Sequence, residues 1–158
     1  MKYLQLVLVA GTLVALDQLT KAVVLARMTL HESIVVIPGF FNLTRVHNPG
    51  GAFGFLAGDS GPWRHWLFLG AALLALILIL YFYHQTPKNK PWLRLALGLI
   101  SGGAVGNLID RVRFGEVVDF LDFYLGQLHW PAFNIADSGV TVGVIIFIVH
   151  IVFKKMPF

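Results

Sequence analysis

From Trp66 to Tyr83 the chain runs for eighteen residues without a charge, bounded by His65 and His84. A helix of that length rises roughly 27 Å, enough to cross the hydrocarbon core of a bilayer. Three further stretches are apolar enough to do the same. The expected spans are approximately 3–26, 64–84, 91–112 and 137–154. With 57% hydrophobic and only 13% charged residues, against about a quarter charged in a soluble domain, residues 1–158 read as a single integral membrane domain. Lys2 followed by an apolar run is compatible with a cleavable signal peptide. No small-x-small site follows Leu16, however, and apolar character resumes after Lys21, so a retained span is expected.

Four spans put both termini on one side. Lys2, Lys88, Lys90, Arg94, Lys154 and Lys155 then share that side in segments free of acidic residues. By the positive-inside rule this is the cytoplasmic side. All eight acids fall at the other face: Asp17, Glu32, Asp59, Asp110, Glu116, Asp119, Asp122 and Asp137. Acids contribute little to orientation, so function is one candidate cause of their segregation.

The outer segments carry little helix signal. Ser33–Ile37 and Phe40–Val46 are β-prone pieces around the turn Pro38-Gly39, and Ala52–Leu56 suits a short helix lying in the membrane interface. Arg113 to Ala136 places Phe120, Phe123, Tyr124, Trp130 and Phe133 at interfacial depth. The expected fold class is therefore an all-α membrane protein of four transmembrane helices, with a small extracytoplasmic β-rich segment and a short interfacial helix.

Several chemistries are excluded. There is no cysteine, hence no thiol nucleophile or thiolate metal site. The six histidines lack His-Glu-x-x-His or other ligand spacing, so no metal is expected. No Gly-x-Ser-x-Gly elbow or phosphate-cradling glycine loop occurs, and no cofactor is expected. The net charge of +4 comes without an aromatic-interleaved basic patch, which argues against nucleic acid. Carboxylate chemistry remains.

Asp119 and Asp137 lie beside the last span, where charge is costly and seldom kept without a role. A pair of carboxyl groups sharing one proton is the arrangement that activates water to cut an amide. From the residues alone, Asp119 and Asp122 are both open as partner to Asp137. Other polar residues have plainer readings beside the functional ones. Asp17 and Lys21, four apart, form an intrahelical ion pair. Asn134 caps the last helix with Asp137 at its third position. Arg111 either anchors the outer end of its span or orients a carboxylate. Gly98, Gly102 and Gly106, and again Gly139 and Gly143, have the spacing of close helix packing. An ion-coupled transporter and a non-catalytic assembly subunit are the rival classes. The first predicts polar residues at mid-membrane and related halves; the second leaves the acids unexplained.

Five segments now stand in order: Asp17-Gln18-Leu19-Thr20-Lys21, Asn48-Pro49-Gly50-Gly51-Ala52-Phe53-Gly54, Gly102-Gly103-Ala104-Val105-Gly106-Asn107-Leu108-Ile109-Asp110-Arg111, Val117-Val118-Asp119-Phe120 and Phe133-Asn134-Ile135-Ala136-Asp137. Together they resemble the motif blocks of bacterial lipoprotein signal peptidase (signal peptidase II), over the chain from Asp17 to the last span. The resemblance implies an inner-membrane aspartic endopeptidase that removes the signal peptide from a diacylglyceryl-modified prolipoprotein, cutting just before the lipidated cysteine. It implies Asp119 and Asp137 as the catalytic pair and Asp122 as a bystander. Asn48, Gly54, Asn107, Arg111, Asn134, Asp17 and Lys21 would bind substrate or support the pair. The partners implied are the lipidated precursor and membrane lipid, with the protein itself a monomer. Its site would lie near the outer face and both termini in the cytoplasm.

Overall fold

The computed structural model describes residues 2–50 and 63–153. Among the described residues, four helices are long and apolar enough to cross a membrane: α1 (Lys2–Arg27), α2 (Trp63–Gln85), α3 (Pro91–Phe114) and α4 (Ile135–Val152). Every limit lies within two residues of the expected one. Between them lie the strands β1 (Ser33–Ile37), β2 (Phe41–Asn48), β3 (Val117–Leu125) and β4 (Leu128–His129). The expected interfacial helix around Ala52–Leu56, and Gly54 with it, lie outside the described residues.

α3 is the organising helix, packed against α1, α2 and α4. Pro91 opens it at a position where no amide partner is needed. Gly115 closes it with φ 78°, donating its amide to the Arg111 carbonyl. Two faces of α3 are glycine-lined. A side chain at Gly102 would come within 2.9 Å of the Ala10 backbone, and one at Gly106 within 2.7 Å of Asp17 Oδ2. Gly103 instead presses against the Ala136 carbonyl of α4. Small residues thus let α1 and α4 touch the α3 backbone from two sides, the packing that replaces hydrophobic burial inside a bilayer. Gly103→Ala should cost about 1–3 kcal/mol through overpacking, read as a lower apparent Tm in detergent.

α2 is different. Among its described residues only Tyr83 is buried, so nearly the whole helix presents apolar side chains outward. Tyr83 Oη donates to the Lys2 carbonyl at 2.7 Å, and Arg94 reaches the same carbonyl at 3.0 Å. These bonds close the end of the bundle that carries the basic residues.

The strands form one antiparallel sheet in the order β1-β2-β3-β4. Arg113 to Ala136, expected as an interfacial aromatic stretch, supplies β3 and β4. Val117-Val118-Asp119-Phe120 pairs with β2, Val46 opposite Asp119 and Asn48 opposite Val117. The strand is buried at its start, because the segment before α4 folds back over it: Phe120 and Leu121 both donate their amides to the Phe133 carbonyl, at 3.0 and 2.8 Å. Phe133 stacks on Phe123 with ring centres 5.8 Å apart.

Candidate active site

That fold-back sets Asn134 between β3 and α4, and Asn134 carries much of the geometry. It is fully buried and caps α4 in a reciprocal box: its Oδ1 accepts the Asp137 amide at 2.9 Å, while its own amide meets Asp137 Oδ2 at 3.3 Å. The same side chain turns Nδ2 to Asp119 Oδ1 at 2.7 Å, to Asn107 Oδ1 at 3.1 Å and to the Val118 carbonyl at 3.3 Å. Capping and carboxylate binding are therefore one arrangement rather than alternatives.

Asn107, on α3, completes the link by donating Nδ2 to Asp137 Oδ1 at 2.7 Å. Asn48, at the end of β2, donates to Asp119 Oδ2 at 3.2 Å, and its Oδ1 is held by the Gly50 amide at 3.0 Å. Asp119 and Asp137, from a strand and a helix start, thus face one cavity of about 500 Å³. Asn48, Asn107, Arg111, Val117, Trp130 and Phe133 line it, with the Ser138–Val142 face of α4. Asp119 lies on β3 and Asp137 in the first turn of α4, so one end of the bundle holds the whole site.

Arg111 also borders the cavity. Its Nη2 reaches the Gly50 carbonyl at 3.3 Å and its guanidinium stands 5.8 Å from the Phe68 ring centre. Asp137 and Asp119 also stand near enough to interact with its charge, so the arrangement is compatible with both readings open from sequence, anchoring the outer end of its span and orienting a carboxylate.

Beneath the pair lies a buried ionic cluster larger than the expected i,i+4 pair. Lys21 lies 2.8 Å from Asp17 and 2.7 Å from Asp110, and these three side chains are 2%, 0% and 1% exposed. The surplus carboxylate charge is met by neutral donors: Ala136 amide to Asp17 at 2.9 Å, Val118 amide to Asp110 at 3.1 Å, and Gln18 to both acids. Each carboxylate thereby ties one span to a neighbouring element, α1 to α4 and α3 to β3. Asp110 and Gln18 were not among the expected site residues. Their signal was available, since each sits beside a singled-out residue in the same motif block.

Asp122 stands apart from this cavity. It accepts from Asn42 at 2.9 Å and pairs with His129 Nδ1 at 2.8 Å. This bonds the sheet to its own hairpin, whereas Asp119 lines the cavity together with Asp137.

Asp119 holds its proton far more tightly than an ordinary carboxyl, with a pKa raised from 3.8 to about 7. Burial is the main cause and the Asp137 charge the second, opposed by the Asn48 and Asn134 hydrogen bonds and by Lys21. The folded state therefore keeps a proton that the unfolded chain releases between about pH 4 and pH 7. Its contribution to stability falls as pH rises through that window and levels off above it. Apparent Tm measured across pH should show this decline in wild type and a flatter curve in Asp119→Asn.

The comparisons with known proteins agree along nearly the whole chain. The family model for signal peptidase (SPase) II matches residues 9–153. The chain is 54% identical over 153 residues to the lipoprotein signal peptidase of Desulforapulum autotrophicum, covering 97% of this chain and 94% of that protein. It is 47% identical over 146 residues to that of Syntrophus aciditrophicus, covering 92% and 91%. A bacterial membrane enzyme structure solved by the in meso method superposes with TM-score 0.85 at 37% identity, over 95% of this chain and 88% of that one. A second such structure gives TM-score 0.80 at 38% identity. With its four apolar helices, its small sheet and a match that spans them all, this chain belongs to the signal peptidase II family of aspartic peptidases.

Proposed function

We propose that the protein removes signal peptides from diacylglyceryl-modified prolipoproteins, cutting just before the lipidated cysteine with water activated between Asp119 and Asp137. The observation that carries this reading is the placement of both carboxyls on one cavity, joined through Asn134 and Asn107. Two acids so linked titrate as a unit that carries one proton over an intermediate pH range.

The reaction then balances as follows. The ionised carboxylate takes a proton from water as the water oxygen bonds to the scissile carbonyl carbon. The carbonyl oxygen takes the proton of the other carboxyl, giving a neutral gem-diol. In the second step the newly protonated carboxyl gives its proton to the leaving nitrogen and the C–N bond breaks. A gem-diol hydroxyl returns a proton to the second carboxylate, which restores the pair. The amides of Asn48 and Asn134 hold the acids in register, and the aromatic rim limits bulk water.

The cavity's Ser138–Val142 wall lies on a membrane-spanning helix, where a substrate's signal helix and acyl chains remain in lipid. In this reading the basic end of the bundle faces the cytoplasm with both termini, and the site lies near the outer face of the bacterial inner membrane. The enzyme acts as a monomer and needs no nucleic acid or cofactor in this reading.

The test is mass spectrometry of a diacylglyceryl-modified precursor peptide incubated with the purified protein. Cleavage should leave the lipidated cysteine as the new N-terminus; an uncut peptide, or a cut elsewhere, rejects the proposal. Asp122→Asn should keep wild-type kcat within about twofold while losing about 1–3 kcal/mol of stability as Asn42 and His129 lose an ionised partner.

A further inference from the structure

The dyad leaves open which carboxyl starts with the proton, and the atoms around Asn107 bear on it. The Lys21 ammonium can only donate. It approaches Asn107 Oδ1 at 3.0 Å, and the Asn134 amide approaches that same oxygen at 3.1 Å. Two donors on one atom require it to be the amide oxygen. The Asn107 NH2 must then point the other way, and it meets Asp137 Oδ1 at 2.7 Å. An NH2 has no acceptor for a carboxyl proton, so it favours the ionised form of that oxygen. Asp137 Oδ2 takes a second donor, the Asn134 amide, and the residue sits in the first turn of α4, at the positive end of the helix dipole.

Asp119 is placed otherwise. It comes from a strand, with no helix end behind it. Its nearest donor, Asn134 Nδ2, is shared among three acceptors. Its second, Asn48 at 3.2 Å, matches the 3.3 Å from the Asn134 amide to Asp137, so the shared donor and the missing helix end make the difference. The charged groups facing the pair are Asp17 and Lys21 from α1 and Asp110 and Arg111 from α3. Asp17 and Asp110 are both turned onto Lys21.

Resting on the dyad reading above, we propose that Lys21 is a positioning residue: held by Asp17 and Asp110, it fixes the Asn107 carboxamide with Nδ2 toward Asp137, so that Asp137 begins as the ionised base and Asp119 as the proton carrier. Water then loses its proton to Asp137, and the scissile carbonyl oxygen receives the proton of Asp119.

The experiment removes the donor without changing the cluster's net charge. Lys21→Met with Asp110→Asn deletes one cation and one anion together; Lys21→Gln with Asp110→Asn restores a neutral donor. In steady-state assays on a lipidated precursor, the Met variant should lose kcat roughly ten- to a hundredfold, one charge-assisted hydrogen bond, with KM unchanged. The acid limb of its kcat–pH profile should move up by about one unit. The Gln variant should recover most of both. Wild-type kcat and pH profile in the Met variant, or no recovery in the Gln variant, would overturn the proposal.

Should neither double variant fold, carbon-13 NMR of carboxyl-labelled wild-type protein decides, with signals assigned from the Asp119→Asn and Asp137→Asn spectra. The Asp137 carbon should ionise at lower pH than the Asp119 carbon, and the reverse order sinks the idea. Turnover by either single Asn variant would instead defeat the dyad itself, a separate result.

Discussion

Asp119→Asn and Asp137→Asn should each abolish cleavage of a lipidated precursor, with a loss of the order of 10⁴-fold in kcat, while the protein remains folded. Asparagine keeps the shape of the side chain and its carbonyl oxygen. The 2.7 Å bond from Asn134 to position 119, and that from Asn107 to position 137, can both persist. What disappears is the ability to exchange a proton. With one acid gone, either the water keeps its proton or the carbonyl oxygen finds no donor. The two losses should therefore be non-additive, the double variant being little worse than either single one. Retained Tm in detergent alongside lost turnover is the expected pair of measurements; substantial turnover by either variant would rule out shared activation of water.

Lys21→Met alone should have the largest effect on the fold. Lys21 is the cation between two carboxylates that are almost wholly buried. Removing it leaves Asp17 and Asp110 close together with surplus negative charge and no counter-ion at that point. Breaking a buried pair in this way costs about 3–5 kcal/mol. Because Asp17 holds the Ala136 amide and Asp110 the Val118 amide, the loosening reaches both segments that bear the dyad. Yield and apparent Tm should fall together. Adding Asp110→Asn should recover most of the loss by removing the second charge, whereas a simple loss of packing volume would not be rescued in this way.

The four spans were legible because each depends on local composition over about twenty residues, and α3 and α4 start at Pro91 and just after the Asn134 cap. The cap at Asn134 with Asp137 was legible for the same reason, being a contact three residues long. β3 was not. Val117–Leu125 is rich in β-branched and aromatic residues, but the same residues suit an interfacial stretch. Only its pairing with β2, 69 or more positions away, distinguishes the two. Asp119 and Asp122 illustrate the limit. Three apart on a strand, they face opposite sides of the sheet, one toward the cavity and the other toward Asn42 and His129.

Sequence by itself determined the membrane class, the number of spans, the glycine faces and, through five ordered motif blocks, the family. These follow from the solvation of apolar side chains and from short-range geometry, which travel with the local chain. Tertiary structure alone decided that Lys21 serves two carboxylates and one amide, that Asn134 joins a strand carboxylate to a helix start, and that Asn107 lies between Lys21 and Asp137. Those contacts join residues from separate elements. Their distances are set by how closely glycine-lined helices approach and where the chain folds back, which no local pattern encodes.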